Sequence, residues 1–275
     1  MISKKHILTI LSLIILAASA SVTEAKSVYV INDTDASEMR AYKVEDSNLV
    51  YQIDYHFVSE AWGPVGLTID ESDYGQFLFA TFESGNEIEL INAKTMQYVD
   101  TVETPQANNL AGIVVDKGKS KVYAVKRYTN HLYIYSWNRI SKELTLDIPY
   151  PHYVDLQDCY ESYGLALDEE NDRLYVADNT TTVKCYDAND PNWSKLEDFC
   201  FTITDTAVGI AIDVENQYVY TGASQFGSSN YLTQYNLTTE TETRANIGAP
   251  VLGIAVDQQT SLVYLTTFGG QYDTN

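Results

Sequence analysis

The chain has 275 residues, with 17 Lys plus Arg against 38 Asp plus Glu and a formal net charge of −21. Hydrophobic residues make up 45%, which excludes a wholly disordered chain. The acidity argues against nucleic acid and against an anionic membrane surface as partners, because both attract clustered cations. Tyr is the favoured aromatic residue, with 22 copies. Because Tyr suits half-exposed strands, the composition favours a β-rich fold.

The N-terminal residues have the pattern of an export signal. Positive charges at residues 4–5 precede an apolar run, Ile7–Ala18, which is too short for a comfortable membrane span. The pattern predicts a secretory signal peptide over residues 1–25, cleaved after Ala20 or Ala25, with an uncleaved anchor as the alternative. We therefore expect a secreted or cell-surface protein with no membrane insertion after cleavage.

Three cysteines follow the predicted signal: Cys159, Cys185 and Cys200. They show no Cys-x-x-Cys spacing and no neighbouring His, so we expect no zinc site. An oxidising compartment permits a disulfide, and the odd count leaves one thiol over. Cys185 and Cys200 lie on runs that resemble neighbouring strands, so they are the predicted pair. Three buried thiols are the alternative.

A short phrase beginning with Gly and ending with Asp recurs five times along the chain. The copies are Gly66–Asp70, Gly112–Asp116, Gly164–Asp168, Gly209–Asp213 and Gly253–Asp257. Their interval of roughly 45 residues is typical of β-propeller blades. Each copy is followed at short distance by a second apolar run, such as Lys121–Ala124. The repeat therefore organises the whole chain after residue 25.

One repeat unit shows the expected blade. Strand A covers Gly112–Asp116, strand B Lys121–Lys126, strand C His131–Trp137 and strand D Leu144–Tyr150. Turn-forming residues separate the runs, and helical periodicity is absent after the signal. The sequence therefore predicts an all-β fold, a β-propeller of four-stranded blades, over residues 26–275.

The blade number follows from the ends of the repeat. Blades are predicted to begin near residues 28, 66, 112, 164, 209 and 253. The first unit lacks a strand A, and the last has only strands A and B. We therefore expect a six-bladed propeller truncated in its last blade, as a piece of a longer chain. Five-bladed and seven-bladed rings are the alternatives.

The repeated Gly and Asp have expected structural roles. Each Gly is predicted to lie where innermost strands crowd near the axis, because a residue without Cβ fits there. Each Asp is predicted to cap the turn between strands A and B. Calcium binding is the alternative for these carboxylates, but their spacing does not match a calcium loop.

The phrase Gly248–Asp257, followed by Leu262–Thr267, resembles the YVTN and NHL-type β-propeller repeat, as does Tyr175–Asn179. The resemblance covers roughly residues 28–268. It implies a secreted or surface propeller of bacteria or archaea that serves mainly as an interaction scaffold. Relatives with six blades include calcium-dependent lactonases of the gluconolactonase and paraoxonase type.

The resemblance to lactonases implies calcium ligands at defined positions of the repeat, which can be compared with this sequence. Those lactonases carry Asn or Asp just before the strand-A Gly, pointing at a central calcium. The equivalent residues here are Val65, Ala111, Tyr163, Val208 and Leu252, and none offers a suitable oxygen ligand. The histidines after the signal, His56, His131 and His152, are widely separated. We therefore expect no catalytic residues, no bound metal and no cofactor, with calcium as the one ion considered.

A non-catalytic scaffold that binds protein or carbohydrate is therefore the expected function, and a calcium-dependent lactonase, hydrolase or lyase is the alternative. The D–A and B–C connections of a propeller share one end, called here the loop face. Candidate partner-binding residues on it are Trp62, Arg127, Tyr128, His152, Tyr153, Tyr160, Tyr163 and Phe226. Aromatic residues and Arg are enriched at binding hot spots. The insertion Pro151–Ser162 is the best single candidate for a partner contact, because long loops are often functional.

Overall fold

The computed structural model describes residues 14–18, 26–32, 38–45, 48–58, 61, 63–223 and 229–267. These residues form β-strands and one short 3-10 helix, Glu197–Phe199. No helix within these ranges has the length and apolar character needed to cross a membrane. The all-β prediction is confirmed.

Five antiparallel sheets follow one another along the described chain, four of them with four strands and one with five, and a two-stranded sheet comes last. Blade 1 contains β1 (Ile14–Ala18), β2 (Ser27–Asn32), β3 (Glu38–Glu45) and β4 (Asn48–His56). Blade 2 contains β5 (Pro64–Ser72), β6 (Gly75–Phe82), β7 (Glu87–Asn92) and β8 (Gln97–Glu103). Blade 3 contains β9 (Leu110–Asp116), β10 (Lys121–Lys126), β11 (His131–Asn138) and β12 (Glu143–Leu146), and β13 (Val154–Asp155) also pairs with β11. Blade 4 contains β14 (Gly164–Asp168), β15 (Arg173–Ala177), β16 (Thr182–Asp187) and β17 (Phe201–Thr202). Blade 5 contains β18 (Gly209–Asp213), β19 (Tyr218–Gly222), β20 (Tyr231–Asn236) and β21 (Thr241–Asn246). The last sheet contains β22 (Val251–Asp257) and β23 (Leu262–Thr267).

The first strand of each sheet lies innermost, and these strands close a ring. β1, β5, β9, β14, β18 and β22 contact one another in this order, and β22 contacts β1. Lys26 forms an ion pair with Asp257 across this closure. The described residues therefore form five complete blades rather than the expected six, as in the five-bladed alternative. The sheet β22–β23 occupies the position between blades 5 and 1.

Blade 1 obtains its innermost strand from the region assigned to the export signal. β1 pairs with β2 from Ile14 opposite Ile31 to Ala18 opposite Ser27. This pairing involves part of the predicted signal, and the expectation that residues 1–25 lie outside the mature propeller stays a prediction. The physical reason for the pairing is that the inner edge of β2 offers backbone groups that an extended apolar segment can satisfy. Cleavage of the segment stays a prediction.

Strand D of blade 3 is shorter than predicted. It was expected to run to Tyr150, but β12 ends at Leu146. Pro149 and Pro151 follow, and proline has no N–H to donate to a ladder. The later strand β13 pairs with β11 instead, with Asp155 opposite His131. The insertion Pro151–Ser162 is thereby attached to its own blade.

The glycines that open the repeated phrases lie where neighbouring innermost strands meet. A Cβ at Gly112 would be 2.6 Å from Tyr163 O, 2.8 Å from Leu165 N and 3.0 Å from the Gly164 carbonyl carbon. The Gly112 N–H also donates to Tyr163 O at 2.6 Å. Cβ atoms at three other such glycines would meet carbonyl oxygens of the next blade; these glycines are Gly66, Gly164 and Gly209. The repeat therefore keeps glycine where two backbones touch.

The aspartates that close the phrases have two different roles. Four of them accept hydrogen bonds from backbone N–H groups two or three residues later; these are Asp116, Asp168, Asp213 and Asp257. Asp70 differs from this expectation. Its buried carboxylate accepts a hydrogen bond from Trp137 Nε1 at 2.8 Å and two from Arg139, from Nε at 2.6 Å and from Nη2 at 2.8 Å. Asp70 therefore joins blade 2 to blade 3.

Candidate functional site

Arg127 is the centre of a cluster on the loop face. It directly follows β10, Tyr128 comes next, and Tyr163 directly precedes β14 of the next blade. The guanidinium carbon of Arg127 lies 4.7 Å from the centroid of the Tyr128 ring and 4.5 Å from that of Tyr163. The two rings meet edge to face, 6.2 Å apart. All three residues are among the candidates predicted from the sequence, and the fold brings them together.

Glu83 completes this cluster, and sequence analysis missed it. Its carboxylate forms an ion pair with Arg127, and it directly follows β6, so blades 2, 3 and 4 all contribute. A signal was present in the repeat, because the residue directly after strand B is charged in three consecutive blades. These residues are Glu83, Arg127 and Asp178. We call Glu83, Arg127, Tyr128 and Tyr163 the arginine cluster.

The arginine cluster combines a buried charge with an exposed ring. Arg127 is 8% exposed, and its Nε is buried without a hydrogen-bond partner among the described residues. Burial raises the pKa of the Tyr163 hydroxyl. Tyr128, in contrast, is 52% exposed. Because Arg127 is fixed by Glu83 and covered by Tyr163, it supports one side of the Tyr128 ring and leaves a rigid aromatic surface toward solvent.

Tyr160 lies above a second ion pair in the neighbouring blade. The Lys184 ammonium is 5.6 Å from the centroid of its ring and pairs with the buried carboxylate of Asp178. Thr180 Oγ1 also donates to this carboxylate at 2.6 Å. Tyr160 is 70% exposed. Tyr160 therefore resembles Tyr128: each exposes its ring to solvent and contacts, on the other side, a cation that is paired with a carboxylate.

Hydrogen bonds fix the insertion that carries Tyr160. Leu156 N donates to Asn130 O at 2.8 Å, and Ser162 Oγ donates to Thr129 O at 3.0 Å. Asn179 Nδ2 donates to Glu161 Oε2 at 2.8 Å. The insertion is thus tied to the B–C connections of blades 3 and 4.

The other predicted partner-binding residues do not join the arginine cluster. Tyr153 stacks on His131, with ring centroids 3.6 Å apart, so it packs the insertion onto β11. His152 Nδ1 lies 3.1 Å from Ile148 O. Trp62 and Phe226 lie outside the described residues.

A third ion pair under a tyrosine occurs in blade 5, and sequence analysis did not name it. Arg244 pairs with Asp205, and its guanidinium carbon lies 4.1 Å from the Tyr231 ring centroid. Arg244 lies in the outer strand β21, Asp205 in the D–A connection before β18, and Tyr231 at the start of β20, which is strand C. The sequence gives little indication of this ion pair, because a single Arg in a polar outer strand has no distinctive pattern.

The described ranges contain no group of three or more His, Cys, Asp or Glu side chains that could hold a metal ion. The side chains described at the loop face are ion pairs and aromatic rings. Such an arrangement can bind the surface of a partner.

The predicted cysteine pair is adjacent but not bonded. Cys185 lies in β16, and Cys200 directly precedes β17. Cys185 N donates to Cys200 Sγ at 3.4 Å. All three cysteines are free thiols, and Cys159 Sγ lies 3.2 Å from Ser162 Oγ in the insertion.

We expect Cys185 and Cys200 to form a disulfide in an oxidising thiol–disulfide buffer. The bond should form slowly without a catalyst, because burial raises the pKa of the Cys185 thiol to about 12 and exchange needs the thiolate. Mass spectrometry of a non-reduced digest measures the pairing. A peptide joining Cys159 to either thiol would contradict it, and Cys159→Ser is the matched control.

Comparisons with known proteins identify the fold. No protein-family model matches the sequence, and a search of curated proteins likewise finds no match. A chain in a crystal structure of a nidogen/laminin complex has a TM-score of 0.63 and 13% sequence identity, over 93% of this chain and 85% of that chain. The likeness at this identity concerns the fold, and the chain is a β-propeller protein.

Proposed function

We propose that the chain is an extracellular or cell-surface β-propeller that binds a protein partner through its loop face, without catalysis. The observation that supports this most is the arginine cluster. Tyr and Arg are among the residue types enriched at binding hot spots. A tyrosine held in place before binding also loses little conformational entropy on contact.

Two further observations support the proposal. One solved structure with a similar fold is a nidogen/laminin complex, in which a protein is bound to another protein. The positive charges at residues 4–5 and the apolar run Ile7–Ala18 support export. N-terminal sequencing of the exported protein tests this part, and we expect Ser21 or Lys26 as the first residue.

The partner is to be found by screening the labelled protein against arrays of extracellular proteins and glycans. We expect Tyr128→Ala to weaken binding of the protein ligand at least tenfold, which corresponds to about 1.4 kcal/mol. Tyr74→Ala is the matched control, because Tyr74 is 64% exposed but lies in the A–B turn of blade 2, away from the loop face. The measurement is the Kd from biolayer interferometry.

Three outcomes would contradict the proposal. Equal effects of the two substitutions would place the binding site elsewhere. Selective binding to glycans would make the partner a carbohydrate. Calcium-dependent hydrolysis of a lactone, abolished by chelator, would favour the enzymatic alternative.

A further inference from the structure

The insertion Pro151–Ser162 is held on blade 3 by a contact that contains a histidine. Its strand β13 pairs with β11, with Asp155 opposite His131. The His131 ring also lies flat on the Tyr153 ring, with the centroids 3.6 Å apart and the two planes within 8° of each other. His131 therefore joins the insertion to its blade both through the backbone ladder and through its ring.

The hydrogen-bonding environment of the His131 ring suits the neutral form. The tautomer that carries its proton on Nε2 directs that proton toward Asp155, whose Oδ1 lies 3.6 Å away. A second proton must then be added at Nδ1. This atom is buried and has no hydrogen-bond partner among the described residues, so protonation creates a buried N–H group without an acceptor, which is unfavourable.

The charged and titratable groups around the ring act in both directions. Burial has the largest effect and disfavours the protonated ring, and Lys126 at the end of β10 adds repulsion. Asp155 and the face of the Tyr153 ring attract a positive charge, but the Asp155 side chain is 66% exposed, so water screens its attraction. The hydroxyl of the neighbouring Tyr133 stays neutral, because burial raises its pKa to about 12. Together these groups lower the pKa of His131 from its ordinary value.

We propose that His131 makes the docking of the insertion, and through it the proposed loop-face binding, sensitive to pH: the neutral ring favours the docked insertion, and protonation loosens it. The regulation of binding rests on the proposed function, because the insertion carries Tyr160 and ends next to Tyr163 of the arginine cluster.

The direction of the effect follows from proton linkage. In a loosened insertion water reaches the His131 ring, which then takes up its proton near the ordinary histidine pKa of about 6.5. The docked insertion holds His131 at a lower pKa and so binds fewer protons between these two values. Docking is therefore strongest above about pH 6.5, weakens as the pH falls toward the lowered pKa, and weakens no further below it.

Amide hydrogen exchange in the free chain tests the proposal without a partner. Leu156 is fully buried, and its N–H donates to Asn130 O at 2.8 Å, so its exchange reports opening of the insertion. We expect its protection factor, measured by NMR, to fall at least about threefold from pH 7.5 to pH 5.5. His131→Phe keeps a ring for Tyr153 and takes up no proton, so its protection should stay constant. His56→Phe is the matched control, because it removes a histidine from β4 in blade 1 and should behave as the wild type.

Asp155→Asn is a second variant whose result does not depend on repacking the ring. Removing the carboxylate that attracts the proton should lower the His131 pKa further, which an NMR titration of the ring protons measures. The loss of Leu156 protection should then become larger and extend to lower pH. If Asp155→Asn instead reduces protection equally at every pH, Asp155 acts only as a structural residue and the pH-sensitive contact is refuted.

Two further results would overturn the proposal. Constant Leu156 protection in the wild type, or an equal fall in His131→Phe, would mean that His131 does not control docking. For the protein captured in the array screen, we expect the Kd to rise at least about threefold at pH 5.5 in the wild type but not in His131→Phe; an equal rise in both would refute the regulation of binding. If the screen captures no protein, the loop-face function fails, while the exchange measurement still decides whether His131 controls the insertion.

Discussion

Gly112→Ala is expected to lower the free energy of unfolding by about 3 kcal/mol or more, at the upper end for overpacking a filled site. The added methyl group would press on Tyr163 O, Leu165 N and the Gly164 carbonyl carbon, which are all backbone atoms and cannot rotate away. Relief would require blades 3 and 4 to separate at the axis. Urea unfolding followed by tyrosine fluorescence measures the loss.

Gly118→Ala is the control for this prediction. Its nearest neighbour for a new Cβ would be Asp116 Oδ1 at 3.6 Å, an ordinary contact. We expect a change within about 0.5 kcal/mol, since surface substitutions without a named defect are usually that small. If the two variants unfold at the same urea concentration, close backbone contact is not what requires glycine at position 112.

Asp70→Ala is expected to destabilise the protein by about 3–5 kcal/mol, as is usual when one partner of a buried ion pair is removed. The substitution leaves the Arg139 guanidinium without its bidentate partner and Trp137 Nε1 without its acceptor. The bonds cross from blade 2 to blade 3, so the loss should loosen that interface. Thermal unfolding and the near-ultraviolet circular dichroism of Trp137 report the effect.

Asp73→Ala separates this effect from a general loss of negative charge. Asp73 lies in the same turn region but is exposed, and removing it relieves repulsion in a chain of charge −21. We expect little change or a slight stabilisation. An equal loss in both variants would mean that the Asp70–Arg139 pair contributes nothing specific.

The inner half of each blade was readily predicted from the sequence. Strands such as β9 and β10 are buried on both faces, so they appear as apolar runs beside a Gly or an Asp. The outer strands were harder to place because one face meets water. β21 has the polar sequence Thr-Glu-Thr-Arg-Ala-Asn, and β17 has two residues. Whether such a segment forms a strand depends on the neighbouring strand with which it pairs. The local residue pattern carries no information about that neighbour.

The sequence predicted those residues of the candidate site that lie next to the ends of recognisable strands. Arg127, Tyr128 and Tyr163 adjoin recognisable strands, so their common face followed from the repeat. Glu83 belongs to a different blade, and its contact with Arg127 depends on the angle between two sheets. The same reason explains Asp70, whose partner Arg139 lies in a C–D turn of blade 3. Contacts between blades are set by packing rather than by sequence distance.

β1 lies inside the predicted export signal, so the propeller and the predicted export route would use the same residues. Ile14–Ala18 fills the inner position of blade 1, and the same residues lie in the apolar run of the predicted export signal. The two predicted cleavage points, after residues 20 and 25, fall between β1 and β2. Folding before export would trap the signal inside the ring, whereas cleavage before folding would deprive blade 1 of that strand. If residues 1–25 are the export signal that the sequence predicts, export and folding compete for one segment, and the faster process decides which form of the propeller exists.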